Sequence, residues 1–455
     1  MPYYLPAGMA TARQWESAMA QENNDVYHII DRIKDAANIL DLDDWLVHKL
    51  CSVKMEWASD IEVRMDDGSL REFRAVRVWH RSPHTDKPHK GGLRYHPAVN
   101  VEMMKGHAME MSLKCWLLGI KWGGAKGGVA VNPRELSAQE LKKVTEALVE
   151  AMNERNILGP FRDVPAPDIG TNATVMNWIR QYYARLRRSR EDARFAGVVT
   201  GKPIGEDLDG IPGRTEATGY GLVQVLNKIL DVYGKDRNGC EVKVMGFGNV
   251  GAHFAKFAVE AGYKVIAISD EHGAIHSPSG IDVDKLWQYV YDNPNNTLRS
   301  VNGYADASGI NHEEFMSLKC NVFVPAALEN VIDKNNADVI GDNCEFVLEG
   351  ANGPTTNRAD DILERHNVIV VPDILANAGG VVVSYFEWAH NVNIRDDRVP
   401  MADKDAVLAA MSDMLHKATT QVTSRAEQLD TNLRKAAYVV SIERAKPHFE
   451  AKHLA

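Results

Sequence analysis

The feature that most constrains the fold is a glycine-rich turn between a β-branched run and an apolar helical pattern. The run is VKVM at residues 242–245, and after the turn Phe254 and Phe257 recur at helical spacing. A strand before such a turn and a helix after it let a pyrophosphate rest on the helix N-terminus. The sequence therefore predicts a dinucleotide site that includes Gly246, Gly248, Asn249, Val250 and Gly251.

Short β-branched runs separated by helical segments continue along the second half of the chain. This spacing predicts a parallel, doubly wound sheet, because parallel strands need helical crossovers between them. We therefore expect a Rossmann-type dinucleotide-binding domain at residues 201–375. Its further strands are predicted at residues 265–268, 322–324, 346–348 and 368–371.

The identity of the dinucleotide depends on Asp270, which ends the run that follows the glycine-rich turn. A carboxylate there can hold a ribose 2′-hydroxyl, and Asp270 and Glu271 together would repel a 2′-phosphate. His272 and nearby hydroxyl groups could still accommodate that phosphate. NAD is therefore the expected cofactor, with NADP left open.

Three lysines in the first part of the chain lie in or beside glycine-rich segments, which we interpret as turns. They are Lys90 in HKGGLRYHP, Lys114 in MSLKC and Lys126 in WGGAKGG. Glycine lets the backbone and a neighbouring charge close on a small ligand. Three cations in one pocket predict an anionic ligand, and their repulsion with partial desolvation would lower the pKa of at least one amine. Unrelated surface lysines are the alternative, which the glycine pairs around Lys126 disfavour.

A hairpin and a helix are predicted on either side of the lysine segments. Residues 61–65 alternate between apolar and charged side chains before an Asp-Gly turn, and a second strand follows at residues 73–79. Ser137 and Glu140 form a capping-box pattern ahead of an apolar stripe at helical spacing.

The last part of the chain, from about Asp403, has a helical apolar pattern again. We expect residues 1–200 to form an α/β substrate domain, completed by C-terminal helices within residues 376–455. The predicted fold class is therefore α/β, with two domains and the active site in the cleft between them.

Composition excludes several classes of protein. A chain of 455 residues with 45% hydrophobic and 25% charged residues can form two or three domains. The net charge of −10 argues against nucleic acid or an anionic membrane as a partner. Five scattered cysteines, the lack of a signal-like N-terminus and the lack of a membrane-spanning run predict a cytoplasmic protein without disulfides. No metal site is expected, because the closely spaced histidines near residues 80–96 do not share a helix.

Taken together, a set of long motifs resembles the glutamate dehydrogenase family in order and spacing over nearly the whole chain. The resemblance implies reversible, NAD(P)-dependent oxidative deamination of L-glutamate to 2-oxoglutarate and ammonium. It also implies a homohexamer, with oligomerisation through the first domain. Besides the lysine segments and GFGNVG, the motifs are DVPAPDIGTN, GRTEATGYG, PAALEN, LEGANGPTT and ILANAGGVVVSYFEW.

By this resemblance, Lys126 is the catalytic lysine, near neutral, and it polarises the 2-oxo carbonyl. Asp168, in the segment PAPDIG, would be its proton-transfer partner. The chemistry of the two residues supports these roles independently, because carbinolamine chemistry needs both a proton donor and a proton acceptor. The alternative for Asp168 alone is a turn residue.

The resemblance also implies substrate contacts. Lys114 would hold the α-carboxylate, and Asn377 would lie near the amino group and the carboxylate. Lys90 and Ser384 match the positions at which glutamate-specific members recognise the side-chain carboxylate. Relatives that act on leucine, valine or phenylalanine carry apolar residues there.

Three more residues correspond to positions near the nicotinamide end of the cofactor. They are Arg214 and Thr218 in GRTEATGYG and Asn352 in GANGP; helix capping and interdomain packing are their alternative roles. The segment GEDLDG at residues 205–210 is more acidic than in many members, which leaves the choice between NAD and NADP less certain.

Other functions stay open from the sequence. A dehydrogenase for leucine, valine or phenylalanine is disfavoured by Lys90, because a buried ammonium without an anion is costly. A non-catalytic NAD-binding homologue is disfavoured by the presence of both Lys126 and Asp168. A lysine that forms a Schiff base with pyridoxal phosphate is disfavoured by the dinucleotide motif.

Overall fold

The computed structural model describes residues 25–187, 193–205 and 208–453. Two acidic residues of the segment GEDLDG, Glu206 and Asp207, lie outside these ranges. The described chain forms two β-sheets with helices packed on them, and the second sheet begins after residue 240. This α/β arrangement agrees with the predicted fold class.

The first sheet has five strands in the order β1-β2-β4-β3-β5. Strands β1 and β2 form the predicted antiparallel hairpin, with Gly68 at a φ of +85° in its turn. Strand β4 is antiparallel to β2, whereas β3 runs parallel to both β4 and β5. The strands are β1 Val53–Arg64, β2 Leu70–His80, β3 His89–Tyr95, β4 Gly123–Val129 and β5 Asp163–Pro167.

The glycine-rich segments around Lys90 and Lys126 are inner strands of this sheet, so their interpretation as turns was wrong. Their glycines allow close packing of backbones instead. A Cβ atom on Gly124 would lie 1.9 Å from the carbonyl oxygen of Ala108, and one on Gly91 would lie 1.5 Å from that of Ala125. A side chain at Gly124 would therefore force β4 away from the helix that contains Ala108, and one at Gly91 would force β3 away from β4.

In the part of the chain that the structure describes, five helices accompany the first sheet. The predicted capping box is confirmed: Ser137 Oγ accepts from the Glu140 amide at 3.1 Å, and Glu140 Oε2 accepts from the Ser137 amide at 2.9 Å. This cap satisfies backbone donors that the first turn of a helix leaves unpaired. The helices are α1 Asp25–Ile39, α2 Asp44–Leu50, α3 Val101–Leu117, α4 Ala138–Glu154 and α5 Ala173–Leu186.

The second sheet has seven strands in the order β12-β11-β10-β6-β7-β8-β9. All neighbours from β12 to β7 are parallel, as predicted, whereas β8 and β9 extend one edge in antiparallel pairing. The order reverses between β6 and β10, where crossovers leave to opposite sides and a crevice forms. The strands are β6 Glu241–Met245, β7 Lys264–Asp270, β8 Gly273–His276, β9 Ser308–Ile310, β10 Cys320–Pro325, β11 Cys344–Leu348 and β12 Ile369–Val371.

Helices connect the strands of the second sheet, as a doubly wound fold requires. A π-helical segment, Gln288–Asp292, continues one of them, and two short 3₁₀ helices, Pro133–Glu135 and Ala193–Val198, precede this part of the chain. The helices are α6 Ala217–Val232, α7 Asn249–Glu260, α8 Val283–Trp287, α9 His312–Ser317, α10 Ala337–Asn343 and α11 Asn357–Arg365.

The C-terminal helices join the two halves of the molecule. Helix α14 packs on α6, and α15 packs on α1 and α3. The apolar stripe predicted in α14 is buried, as Val407, Met411 and Leu415 show. No helix in the described residues is long and apolar enough to cross a membrane. The helices are α12 Asp373–Ala376, α13 Gly379–Asn391, α14 Lys404–Leu429 and α15 Leu433–His453.

Candidate active site

The two residues with predicted catalytic roles form a buried ion pair. Lys126 lies on β4, Asp168 directly follows β5, and Lys126 Nζ is 2.5 Å from Asp168 Oδ2. Burial disfavours the charged carboxylate, yet Lys126 and Arg94 hold the pKa of Asp168 well below its usual range. A Cβ atom on Gly92 would lie 2.1 Å from Asp168 Oδ2, so glycine is needed there for the carboxylate to approach the lysine.

Arg94 holds the other oxygen of this carboxylate. Its Nε donates to Asp168 Oδ1 at 2.8 Å, and its Nη2 donates to Glu329 Oε1, also at 2.8 Å. The sequence reasoning assigned no role to Arg94 or Glu329. Arg94 lies four residues after Lys90 on β3, and a strand places alternate residues on one face, so this spacing could have indicated it.

A second group of side chains surrounds Lys114 on α3. Lys114 Nζ donates to Asn377 Oδ1 at 2.6 Å and to Asn352 Oδ1 at 3.1 Å. The amide of Asn377 is fixed in turn, because its Nδ2 donates to the carbonyl oxygen of Ala351 at 3.1 Å. The structure thus brings together three predicted site residues from separate elements, with the ammonium of Lys114 at their centre.

A third group contains two buried cations, Lys90 on β3 and Arg214 just before α6. Burial, followed by repulsion from Arg214 and Arg77, lowers the pKa of Lys90 to about 7. Burial also lowers the pKa of Arg214, whose Nε has no hydrogen-bond partner in the described part of the chain. The lowered pKa expected among the three lysines therefore falls on Lys90, and the prediction of a near-neutral Lys126 stays a prediction.

The nearby anion, Glu387 on α13, is already engaged. Its Oε1 accepts from Lys202 Nζ at 2.6 Å, and its Oε2 accepts from the amide of Gly201 at 2.8 Å. Ser384 is buried on α13 one turn before Glu387. The positive charge of Lys90 and Arg214 is therefore left for a ligand to neutralise.

Arg214, for which the resemblance implied a position near the nicotinamide, lies close enough to Lys90 to lower its pKa, and its contact with the cofactor stays a prediction. Gly380 explains how the arginine enters: a Cβ atom on Gly380 would lie 3.6 Å from Arg214 Nη1 and 2.9 Å from Thr218 Oγ1. Thr218 lies in the first turn of α6 and Arg214 lies just before this helix. Both side chains lie next to Gly380 in the first turn of α13.

The glycine-rich turn after β6 has the geometry of a dinucleotide cradle. Gly246 has a φ of +100°, and a Cβ atom on Gly251 would lie 1.9 Å from the Gly246 carbonyl oxygen. A Cβ atom on Gly248 would meet nothing within 4 Å, and no side chain caps the N-terminus of α7. The open space in front of free backbone amides fits a pyrophosphate, as the sequence predicted.

Two further residues of this turn differ in their surroundings. Asn249 Nδ2 donates to the carbonyl oxygen of Thr215 at 3.0 Å, which ties the turn to the segment before α6. Val250 is partly buried against the apolar core beneath the sheet. Asn249 therefore links the cradle to Arg214 and Thr218 through one backbone contact.

Asp270, the predicted ribose ligand, already has several protein donors. Its Oδ1 accepts from the His272 amide at 2.8 Å and from Ser300 Oγ at 3.1 Å, and its Oδ2 accepts from the Val301 amide at 2.7 Å. These bonds fix the loop before β9 to the end of β7. Oδ2 keeps capacity for one more donor, so a ribose contact stays a prediction.

Comparisons with known proteins identify the family of the chain. The family model described as Glutamate/Leucine/Phenylalanine/Valine dehydrogenase matches residues 210–452, and that described as Glu/Leu/Phe/Val dehydrogenase, dimerisation domain, matches residues 54–185. A glutamate dehydrogenase of Thermotoga maritima is 39% identical over 91% of this chain and 95% of its own. An NAD-specific glutamate dehydrogenase A of Halobacterium salinarum is 38% identical over 98% and 95%, and an NADP-specific enzyme of Synechocystis is 37% identical over 92% and 95%.

Solved structures share the fold. A hetero-hexameric glutamate dehydrogenase from Thermus thermophilus has a TM-score of 0.83 at 29% identity over 99% of each chain. A glutamate dehydrogenase from Peptoniphilus asaccharolyticus has a TM-score of 0.78 at 32% identity over 95% of this chain and 100% of its own. With both domains matched, the protein is an NAD(P)-dependent amino-acid dehydrogenase, and the chain belongs to the Glu/Leu/Phe/Val dehydrogenase family.

Proposed function

We propose that the protein is a glutamate dehydrogenase, which converts L-glutamate reversibly to 2-oxoglutarate and ammonium. The observation that carries this proposal is the buried pair of Lys90 and Arg214, whose nearby anion Glu387 is engaged by Lys202. The names of the relatives from Thermotoga maritima and Halobacterium salinarum support it.

The charge of this pocket favours a dicarboxylate over an apolar substrate. A side-chain carboxylate would neutralise Lys90 and Arg214, and Ser384 offers a hydroxyl on the adjacent helix. The side chain of leucine, valine or phenylalanine would instead exclude water from the guanidinium of Arg214 without supplying an anion, which costs several kcal/mol in principle, and would favour the uncharged form of Lys90. The alternative dehydrogenases of the family therefore fit this pocket less well.

The other end of the substrate fits the group around Lys114. We infer that its ammonium holds the α-carboxylate, with Asn377 orienting it through the 2.6 Å hydrogen bond. A substrate bound by cations at both ends has a fixed orientation. Its Cα then lies between the Lys90 group and the Lys114 group, within the reach of Lys126.

We infer that Lys126 and Asp168 carry out the proton transfers. In the direction of deamination, Lys126 activates the water that attacks the imino carbon, and Asp168 accepts a proton from that water. Collapse of the carbinolamine then breaks its C–N bond: Asp168 returns the proton to the leaving nitrogen, and the hydroxyl oxygen gives its proton to the neutral amine of Lys126 as the C=O bond forms. Their 2.5 Å contact keeps donor and acceptor in one unit.

We infer that Gly246, Gly248 and Gly251 hold the pyrophosphate of the dinucleotide at the N-terminus of α7. When bound, the nicotinamide supplies the hydride acceptor for the substrate Cα. Thr218 and Asn352 stay our candidates for its nicotinamide end, and Asp270 for the ribose. NAD is the preferred dinucleotide, although relatives named NAD-specific and NADP-specific are both similar to this chain.

We also propose a cytoplasmic homohexamer. The first domain matches a model described as a dimerisation domain, and the similar Thermus thermophilus enzyme is described as hetero-hexameric. Sedimentation equilibrium on the purified protein tests the number of subunits, and a monomer would contradict the proposal.

The function is tested by initial rates of 2-oxoglutarate reduction with ammonium, compared for NADH and NADPH at matched concentrations. Oxidation rates with glutamate, leucine and phenylalanine follow on the same preparation. We expect a preference for glutamate and faster turnover with NADH. Faster leucine or phenylalanine oxidation would contradict the glutamate assignment, and binding of NADH by folded protein without any turnover would support a non-catalytic homologue.

A further inference from the structure

Arg94 connects the two halves of the molecule at the proton-transfer site. It lies on β3 of the first sheet, is 5% exposed and contacts two carboxylates with different nitrogens. One is Asp168, after β5 of the same sheet. The other is Glu329, after β10 of the second sheet, beside the point where the strand order of that sheet reverses.

The fork of the guanidinium makes its two contacts dependent on each other. A guanidinium is planar and rigid, so a partner at Nη2 fixes the direction in which Nε points. Arg94 Nε and the amide of Ile169 both donate to Asp168 Oδ1 at 2.8 Å, which leaves Oδ2 directed at Lys126. The orientation of the proton acceptor therefore depends on what holds the far end of Arg94.

Glu329 holds the far end of the Arg94 guanidinium. Its side chain is 22% exposed, and its neighbour on the other side is His107, whose Nε2 lies 3.5 Å from Glu329 Oε1. In the described ranges, the partner found for Arg94 Nη1 is the thioether of Met103 at 3.8 Å. The strong, charge-assisted contact at this end of the arginine is thus the one that crosses between the two halves.

We propose that Glu329 and Arg94 are positioning residues that couple docking of the dinucleotide-binding half to the orientation of Asp168. When the two halves are apposed, Glu329 fixes the guanidinium, and the guanidinium fixes Asp168 Oδ1. Without Glu329, the guanidinium can rotate and the carboxylate turns away from Lys126. This role rests on the proposed function, because it concerns the proton acceptor of that reaction.

Two variants at one position test the coupling. We expect Glu329→Ala to lower kcat for glutamate about 10- to 100-fold, since small displacements of catalytic groups have effects of this size. The KM for glutamate should change less than about threefold, because Lys90 and Lys114 are untouched. Glu329→Gln keeps an acceptor for Arg94 Nη2 and should recover most of kcat.

Arg32→Ala is the matched control for loss of a polar bridge between the halves. Arg32 Nε donates to Asn357 Oδ1 at 2.8 Å and its Nη2 to the carbonyl oxygen of Thr355 at 3.0 Å, so these bonds involve neither Arg94 nor Asp168. The kcat of Arg32→Ala should stay within about threefold of that of the wild-type enzyme. Thermal unfolding of each variant reports whether it folds. If Glu329→Ala does not fold, Glu329→Met takes its place, because methionine keeps most of the side-chain volume but offers Arg94 no oxygen acceptor, and a kcat at wild-type level in Glu329→Met would then overturn the coupling.

A double-mutant cycle separates coupling from general damage. If Glu329 acts through Arg94, adding Glu329→Ala to Arg94→Lys should lower kcat no further than Arg94→Lys alone. Additive losses, equal losses in Arg32→Ala, or wild-type kcat in Glu329→Ala would each overturn the coupling. A wild-type enzyme without glutamate turnover would instead overturn the proposed function, and this role with it.

Discussion

The proposed substrate pocket and the proposed dinucleotide cradle consist of different chemical groups. The pocket around Lys90, Lys114 and Lys126 consists of buried charged side chains on inner strands and a buried helix. The cradle after β6 consists of backbone amides and open space at Gly248, with no charged side chain among residues 246–251. We therefore propose that the pocket recognises its ligand by charge, and the cradle by shape and the direction of N–H groups.

This difference determines how each site tolerates change. A buried cation without its anion is costly, so the pocket is tuned by single charges and by pH. The cradle depends on the absence of side chains, and any added atoms at Gly248 occupy ligand space without disturbing the fold. Removal of charge should therefore impair the pocket, and addition of volume should impair the cradle.

The largest effect is expected for Lys126→Ala. Loss of the amine that contacts Asp168 should lower kcat by about a thousandfold or more, because it removes one half of the proton-transfer pair. The affinity for NADH, measured by fluorescence titration, should stay near that of wild type. Exposed Lys121 provides the control: Lys121→Ala should keep its kcat. Near-normal turnover in Lys126→Ala would contradict the catalytic assignment.

Removal of charge at the far end of the pocket should have the next largest effect. Lys90→Leu should lower kcat/KM for glutamate by roughly a hundredfold, since a lost charged contact in a buried site costs about 3 kcal/mol. Leucine oxidation should stay the same or rise. Lys87→Leu, a half-exposed neighbour on the same segment, should behave as wild type. Unchanged glutamate kinetics in Lys90→Leu would mean that Lys90 does not face the substrate.

Added volume in the cradle should weaken the dinucleotide instead. Gly248→Val should raise the Kd for NADH roughly thirtyfold, which corresponds to about 2 kcal/mol of lost backbone contacts to the pyrophosphate. The KM for glutamate at saturating dinucleotide should change little. Gly309, on an edge strand of the same sheet, is equally open around its Cβ position, so Gly309→Val is the matched control. An unaltered Kd in Gly248→Val would place the pyrophosphate elsewhere.

The smallest effect is a pH dependence confined to the pocket. The pKa of Lys90 is lowered to about 7, so the free enzyme holds the ammonium below this pH and loses it above. Glutarate, a dicarboxylate whose charge is constant between about pH 6 and about pH 9, should bind roughly tenfold more weakly at the higher pH. The affinity for NADH should not follow this change.

Lys90→Arg separates this titration from others, because an arginine stays protonated throughout the range. Glutarate affinity in that variant should be nearly flat with pH. A profile that stays as steep as in wild type would assign the titration to a group other than Lys90.

Local patterns in the sequence were enough to predict much of the fold. The hairpin before Lys90, the capping box at Ser137 and the five parallel strands of the second sheet follow from periodicity and turn residues over short windows, whereas β8 and β9 were not predicted. The cradle at Gly246 was predictable for the same reason: its strand, turn and helix are consecutive. Such features depend on neighbours in sequence, which are visible without knowledge of the tertiary structure.

The same reasoning was wrong about the glycines near Lys90 and Lys126, which lie in strands. Glycine indicates positive φ or close packing, and the sequence does not distinguish these two uses. Only the packing of α3 on β4 shows that Gly124 is needed for close packing. The hydrogen bonds that Ser300 and Val301 donate to Asp270 could not be predicted from the sequence either, because these residues come from a loop 30 residues away in the chain.

By itself, the sequence determined a two-domain α/β chain with a dinucleotide cradle and a set of candidate lysines. Only the tertiary structure decided which polar and charged groups meet. Arg214 lies beside Lys90, Lys114 donates to Asn352 and Asn377, and Arg94 donates to Glu329. The physical reason is that the spacing of hydrophobic residues and the preferences of turn residues determine local structure over only a few residues. Contacts between charges far apart in the chain depend instead on strand order and on how the two halves pack.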